Sequence, residues 1–159
     1  MTRDNAFRLF NFSHRTVMMN IEDITEAESL LSPLAGINSM HWILGHIVAT
    51  RRSMLKMLGA EMHWTIEDAK AFSRAPDAAV GSAQKSWPQI IDGLEDSFSR
   101  VTEALMGFDK LDHLAPGEGI LADSETYGDR FAFYFGHEAY HAGQLGTLRR
   151  LLGKPGQIK

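Results

Sequence analysis

The sequence predicts an all-α protein built on four long helices. Apolar residues recur every three or four positions in four stretches, and Gly, Pro and Ser residues separate those stretches. No internal repeat or low-complexity tract is present. The 159 residues are predicted to form one domain, because a chain of this length can bury enough apolar surface to fold without disulfides.

The first two helices each carry a histidine within their apolar stripe. The first helix is predicted over residues 4–22, with His14 in the middle of its stripe. The second is predicted from an Asn38 cap to about Leu58, and His46 takes a core position in it. The other members of the first stripe are Phe7, Phe10, Val17 and Ile21, and those of the second are Ile43, Thr50, Met54 and Met57.

The third and fourth helices differ in what fills their stripes. The third begins after Ser86, whose hydroxyl can cap the helix while Gln89 reaches back. Its stripe is wholly apolar: Trp87, Ile91, Leu94, Phe98, Val101, Leu105 and Phe108. The fourth is predicted over residues 126–152, and two of its stripe positions are histidine: Tyr134, His137, His141, Leu145, Leu148 and Leu152.

Two long connections join these helices. Residues 59–86 contain a Thr65–Asp68 segment that predicts a short accessory helix, and residues 107–125 form the second connection. Connections of this length allow crossovers, so simple up-and-down helix order is not required.

The composition disfavours several classes of protein. Sixteen Lys and Arg against 20 Asp and Glu give a net charge of −4 without a basic cluster, so we expect no nucleic-acid partner. With no cysteine, any transition-metal site must use imidazole and carboxylate ligands. No segment reaches the ~20 apolar residues that span a bilayer, and no signal-peptide pattern is present, so we expect a cytoplasmic protein without a membrane partner.

Three histidines occupy positions that we expect to face the core. His137 and His141 are four residues apart, which places them on one helix face about 6 Å apart, within reach of one ion. The pair alone fits two hydrogen-bonded core histidines equally well. His46 lies on another helix, and burying three neutral imidazoles is unfavourable unless each finds a partner. A shared divalent metal satisfies all three together.

The other histidines receive weaker assignments. His41 lies about 140° around the helix from His46, so we expect it at the surface or facing a loop. His14 could be a fourth ligand, a partner of the ligands or a pocket residue. His63 and His113 fall in the predicted connections, where solvated imidazoles are expected, and we assign them no role.

Residues 137–141 read His-Glu-Ala-Tyr-His, the H-E-x-x-H pattern of zinc proteases. A protease is the less favoured interpretation, because the residues after His141 include no Asp, Glu or His to complete the site. The extended motif also requires Gly where Gln144 stands. Glu138 is a weak candidate base, but it turns about 100° away from His137, which favours a solvated or interhelical carboxylate. Gln144 could form a hydrogen bond with a ligand histidine and Tyr134 could line the cavity, but both could equally well be packing residues.

Two segments resemble a known family. Residues 38–46, NSMHWILGH, and residues 137–145, HEAYHAGQL, look like the two signature segments of the DinB-like superfamily, and residues 152–156, LGKPG, are similar to its usual tail. The resemblance implies a four-helix bundle with up-down-down-up order, often dimeric, with a metal on three histidines that map to His46, His137 and His141. It also implies relatives that are metal-dependent thiol-S-transferases or isomerases using a low-molecular-weight thiol.

These observations predict a metal-dependent enzyme acting on a small molecule. Three neutral imidazoles leave a divalent ion with an open position, where it can activate a water or a thiol. We expect zinc or nickel first, with iron and manganese as alternatives. The enzyme would be a thiol-S-transferase or a small-molecule hydrolase, with a homodimer as the expected assembly. The alternative is a non-catalytic module in which a metal ties the second helix to the fourth, and a fourth ligand from His14 would favour it.

Overall fold

Six helices occupy the residues that the computed structural model describes, which are 1–73, 85–115 and 126–158. No strand forms among these residues, where Leu114 and Thr126 make only an isolated antiparallel bridge. The predicted all-α class is therefore confirmed. The helices are α1 (Arg3–Ile21), α2 (Glu26–Ser29), α3 (Met40–Leu58), α4 (Ile66–Ala71), α5 (Trp87–Gly107) and α6 (Tyr127–Leu151).

The long helices begin and end where local sequence satisfies their terminal backbone groups. The predicted cap of α5 is confirmed, because Ser86 and Gln89 form a capping box. The cap of α3 is one residue later than predicted: the side chain of Ser39, rather than Asn38, accepts from the backbone N–H of Trp42. Gly59 ends α3 in the left-handed conformation, with φ of 75°, which glycine adopts without steric cost.

The short helices lie in the connections. The accessory helix predicted near Thr65 is confirmed as α4, which Thr65 caps. Helix α2 was not predicted, since a helix of four residues shows no apolar periodicity; its one sequence signal is the capping box of Thr25 and Glu28. The predicted connections also include residues 74–84 and 116–125, which lie outside the described residues.

Packing places the four long helices around a shared interior. Helix α3 packs against α5 and α6, and α1 packs against the same two helices. Residues 40–48, at the start of α3, are buried on every side of the helix. This half of α3 is therefore central to the molecule. The up-down-down-up bundle order stays a prediction.

The predicted stripes of α1, α3 and α5 are buried in large part, with half-buried members at Phe7, Thr50, Met57, Ile91, Phe98 and Phe108. Phe10, His14 and Val17 of α1 are buried as expected. On α6, however, Tyr134 and His137 are only half-buried. The core positions there are filled by Phe131, Phe135, Glu138, His141, Ala142, Leu145 and Leu148. The predicted members His141, Leu145 and Leu148 are therefore buried, whereas the first half of the stripe is displaced by one residue and His137 lies at its edge. In the described part of the chain, no helix is apolar over a length that would cross a bilayer.

Candidate metal centre

The structure brings His46, His137 and His141 together between α3 and α6. The Nε2 atom of His137 lies 3.3 Å from Nε2 of His46 and 3.2 Å from Nε2 of His141. One nitrogen from each of the three rings lies within 4.8 Å of the other two. His46 and His141 are buried and His137 is half-buried. The helices thus aim three imidazole nitrogens at one point, with His137 on the more open side.

Hydrogen bonds fix the outer nitrogens of two of these rings. Nδ1 of His46 lies 2.7 Å from the backbone carbonyl oxygen of Phe72. Nδ1 of His141 lies 2.7 Å from Oε1 of Gln144. A carbonyl oxygen can only accept, and Oε1 is assigned as the amide oxygen, so each Nδ1 carries the proton and donates. Each Nε2 therefore presents a lone pair toward the shared point.

This donor set fits a divalent metal. Metal ligation by Nε2 with Nδ1–H bound to a carbonyl or side-chain oxygen is the usual arrangement for histidine. Nitrogens placed about 2.0–2.1 Å from a tetrahedral zinc ion are about 3.3–3.4 Å apart, close to the two spacings seen here. His46, His137 and His141 are therefore the residues that would hold a metal.

Aromatic rings support the three histidines. Trp42 stacks on His46 with ring centroids 4.9 Å apart and planes 8° from parallel. Phe133 lies against His137, at 6.2 Å and 26°. The Nε2 group of Gln144 donates to the hydroxyl of Tyr140 at 3.0 Å, which orients the amide that holds His141. The predicted supporting role of Gln144 thus has a geometric basis.

A cavity of about 420 Å³ opens beside the histidines, between α3, α4 and α6. His46 and His137 line this cavity. Tyr134 lines it too, which is the cavity-lining role predicted for that residue. Burial raises the pKa of Tyr134, with a smaller opposing effect from Arg130, so its phenol stays protonated at neutral pH. The three-histidine centre therefore borders a space that a small molecule can enter.

His14 lies outside the centre. It is buried and stacks on Phe98, with ring centroids 3.9 Å apart. Burial lowers the pKa of His14 to about 4, helped by the neighbouring Arg51 guanidinium and opposed by Glu138, so the ring is neutral. The group of converging donors found among the described residues does not include it. His14 is thus not a fourth ligand in this structure, and it does not line the cavity.

Glu138 is buried in an ion pair and is not placed to act as a base. Arg51 holds it at two points, from Nε to Oε2 at 2.9 Å and from Nη2 to Oε1 at 2.7 Å. Ser13 donates to Oε1 at 2.9 Å, and Nη1 of Arg51 donates to the carbonyl of Leu94 at 2.9 Å. The interhelical interpretation of Glu138 is correct and the solvated one is wrong.

The Arg51–Glu138 pair was missed in the sequence. It joins all four long helices through Ser13 on α1, Arg51 on α3, Leu94 on α5 and Glu138 on α6. The available signal was the spacing of Glu138, which lies three residues after Phe135 and four before Ala142 on the buried face of α6.

Of the two alternatives predicted for His41, the exposed one is wrong, whereas the ring does face a connecting segment, because it forms a hydrogen bond with the backbone of Lys85. The side chain is buried, with 1% of its surface exposed, and Nδ1 lies 3.3 Å from Oγ of Ser29. Helix α2, which the sequence did not predict, packs against α3 and brings Ser29 to this ring. Burial lowers the pKa of His41. His63 and His113 are exposed, as expected, with side-chain exposures of 76% and 62%.

Comparison with known proteins identifies the family. A model of the DinB superfamily matches residues 10–145, which include all three converging histidines. The chain belongs to the DinB superfamily. Proteins of the DinB superfamily are usually metal-dependent, which agrees with the donor set described above.

A solved structure supports the architecture. The crystal structure of a conserved protein from Enterococcus faecalis is similar to this DinB superfamily chain, with a TM-score of 0.76 and 16% identity. The similarity covers 97% of this chain and 99% of the other. At this identity the likeness shows the fold alone. No curated protein matches the chain.

Proposed function

We propose that this DinB superfamily protein is a metal-dependent enzyme that activates a small nucleophile, a low-molecular-weight thiol or water, for attack on a small organic substrate. The observation that carries the proposal is the convergence of three Nε2 atoms at the edge of a cavity of about 420 Å³. A bound divalent ion would lower the pKa of a coordinated thiol or water toward neutrality.

The residues of the chain have separate roles in this proposal. His46, His137 and His141 would hold the ion, and as neutral ligands they would leave its positive charge uncompensated. Phe72 and Gln144 fix the orientation of two of the rings through Nδ1. A ligand set of three leaves a coordination position for the reacting molecule.

Tyr134 is the cavity residue best suited to contact substrate. Its raised pKa keeps the hydroxyl protonated, so it can donate a hydrogen bond to an oxygen that gains negative charge during the reaction. Glu138 takes no part in proton transfer, because Arg51 and Ser13 already occupy both of its oxygens.

The open side of the centre favours an enzyme over the non-catalytic module. A purely structural site is normally closed by four protein ligands. Here His14 does not join the other histidines, and two of the three ligands line the cavity. A protease is not favoured either, since Glu138 is occupied and the described residues offer no strand edge to pair with a peptide.

The test combines metal-loaded protein with a thiol and an electrophile, and separately with activated esters. Mass spectrometry of the products distinguishes a thiol adduct from a hydrolysed ester. We expect one product to form at a rate that chelator treatment abolishes and metal restores. His46→Ala should lose this rate, whereas His63→Ala, which changes an exposed histidine away from the site, should retain it. Equal rates for wild type and His46→Ala would refute the proposal.

A further inference from the structure

The cavity beside the three histidines carries cationic side chains without a carboxylate. Arg52 of α3 and Lys70 of α4 line it, and none of the described residues at its surface is Asp or Glu. The chain as a whole has a net charge of −4, so the positive charge of the cavity wall is opposite in sign to the net charge of the protein. A divalent ion on three neutral imidazoles would add further positive charge to the same space.

The two cations are held differently. Nε of Arg52 donates to the backbone carbonyl of Trp64 at 3.3 Å, which fixes the guanidinium at the wall of the cavity. Nζ of Lys70 lies 3.6 Å from Oε1 of Glu67, and the two side chains are 70% and 78% exposed. An ion pair this exposed is weak, so Lys70 can turn to an anion in the cavity at little cost.

The remaining walls suit the body of a small organic molecule. Phe133 and Ile66 provide apolar surface, and Thr50 and Ser53 provide hydroxyl groups. A volume of about 420 Å³ is in the range of small-molecule sites. The cavity therefore combines a cationic wall, an apolar wall and, at His46 and His137, the proposed metal centre.

We propose that the substrate of this centre is a small carboxylate-bearing molecule, a proposal that rests on the function proposed above. Its carboxylate pairs with Arg52 and Lys70, and its reacting end lies at His46 and His137. A guanidinium can bind a carboxylate through two parallel hydrogen bonds, which makes Arg52 the main specificity-determining residue. The carboxylate can belong to the thiol or to its electrophile, since recognition is the same in both cases.

The test uses 3-mercaptopropionate and its methyl ester, which differ by one negative charge. Ligand-observed NMR titrations measure their affinities for the full chain with and without metal. We expect the acid to bind about tenfold more tightly than the ester in both forms, because the ester lacks the negative charge that strengthens the hydrogen bonds to Arg52 and Lys70. Arg52→Gln combined with Lys70→Gln should abolish the preference. Lys56→Gln, which changes an exposed cation of α3 outside this cavity, should leave it unchanged.

Three outcomes would overturn the proposal: equal binding of acid and ester by the wild type, a preference that survives in the double variant, or a preference that appears only with metal present. The last result would assign the carboxylate to the metal. The thiol alternative of the function proposed above fails by a different result, in which metal tightens the binding of neither thiol. The preference for the acid in metal-free protein would still stand in that case.

Discussion

Gln144 acts on the metal centre through a single short hydrogen bond. Its Oε1 accepts from Nδ1 of His141 at 2.7 Å, and its amide is itself oriented by Tyr140. This bond selects the tautomer in which Nε2 of His141 carries a lone pair. Residues that orient a ligand in this way contribute to metal affinity without contacting the metal.

Gln144→Leu removes the acceptor while keeping a side chain of similar size. We expect the metal dissociation constant to rise about 10- to 100-fold, because the ring loses its fixed tautomer and orientation. Gln144→Glu keeps an oxygen at the same place and should restore most of the affinity. Competition with a chromophoric chelator measures both values, and wild-type affinity in the leucine variant would contradict the assignment.

The three metal-site histidines could be predicted from the sequence, because their positions on the helix faces follow from short-range spacing. His137 and His141 are one helical turn apart, and His46 lies at a core position of its own helix. The sequence did not settle whether Glu138 and His41 are buried, for the opposite reason. Their burial depends on Arg51 and on α2, which are distant in sequence, and no local pattern reports such contacts.

At the scale of elements, Phe72 links α4 to α3 and to the site. Its carbonyl accepts from His46, and its ring packs over Gly45 of α3. A Cβ atom added at Gly45 would lie 2.2 Å from Cδ1 of this buried ring. The absence of a side chain at Gly45 therefore allows the close approach that places the carbonyl beside His46.

Gly45→Ala should displace Phe72 and weaken the hold on His46. We expect a loss of about 1–3 kcal/mol in the free energy of unfolding, as for other overpacked core sites, together with weaker metal binding. Gly143→Ala is the matched control, since a Cβ there meets nothing within 4 Å and should stabilise α6 by up to about 1 kcal/mol. Urea denaturation measures both changes, and equal stability of the two variants would argue against this packing role.

Helix positions were predictable to within a residue or two at most ends, because caps are local. Thr65 and Ser86 each satisfy a backbone N–H three residues ahead, a pattern visible in the sequence. The choice of Ser39 over Asn38 could not be made this way, since both residues are good caps. The displaced core stripe of α6 likewise depends on which neighbours α6 meets.

At the scale of the molecule, the Arg51–Glu138 pair is the charged contact that unites the long helices. Arg51 has no exposed surface and Glu138 is 4% exposed. A buried pair gains little net stability over apolar residues of similar size, yet breaking it leaves one charge without compensation.

Glu138→Gln should therefore be severely destabilising. We expect a loss of about 3–5 kcal/mol in the free energy of unfolding of the metal-free protein, because the buried Arg51 charge loses its counter-ion. The double variant Arg51→Met with Glu138→Leu should recover most of that loss. Chemical denaturation of metal-free samples keeps this effect separate from metal binding. If Glu138→Gln is as stable as the wild type, Arg51 has found another partner and the prediction is wrong.

The homodimer and the identity of the metal stay predictions. The first depends on contacts between two chains, and the second depends on the geometry around a bound ion. The metal centre joins α3 to α6, and the proposed chemistry depends on it.

The most direct test of this metal centre is equilibrium dialysis of the metal-free protein against zinc or nickel, followed by elemental analysis. We expect the wild type to bind about one ion per chain, and His46→Ala, His137→Ala and His141→Ala each to bind less than about a tenth of that. His63→Ala should bind as the wild type does. Wild-type metal content in all three site variants would contradict the account.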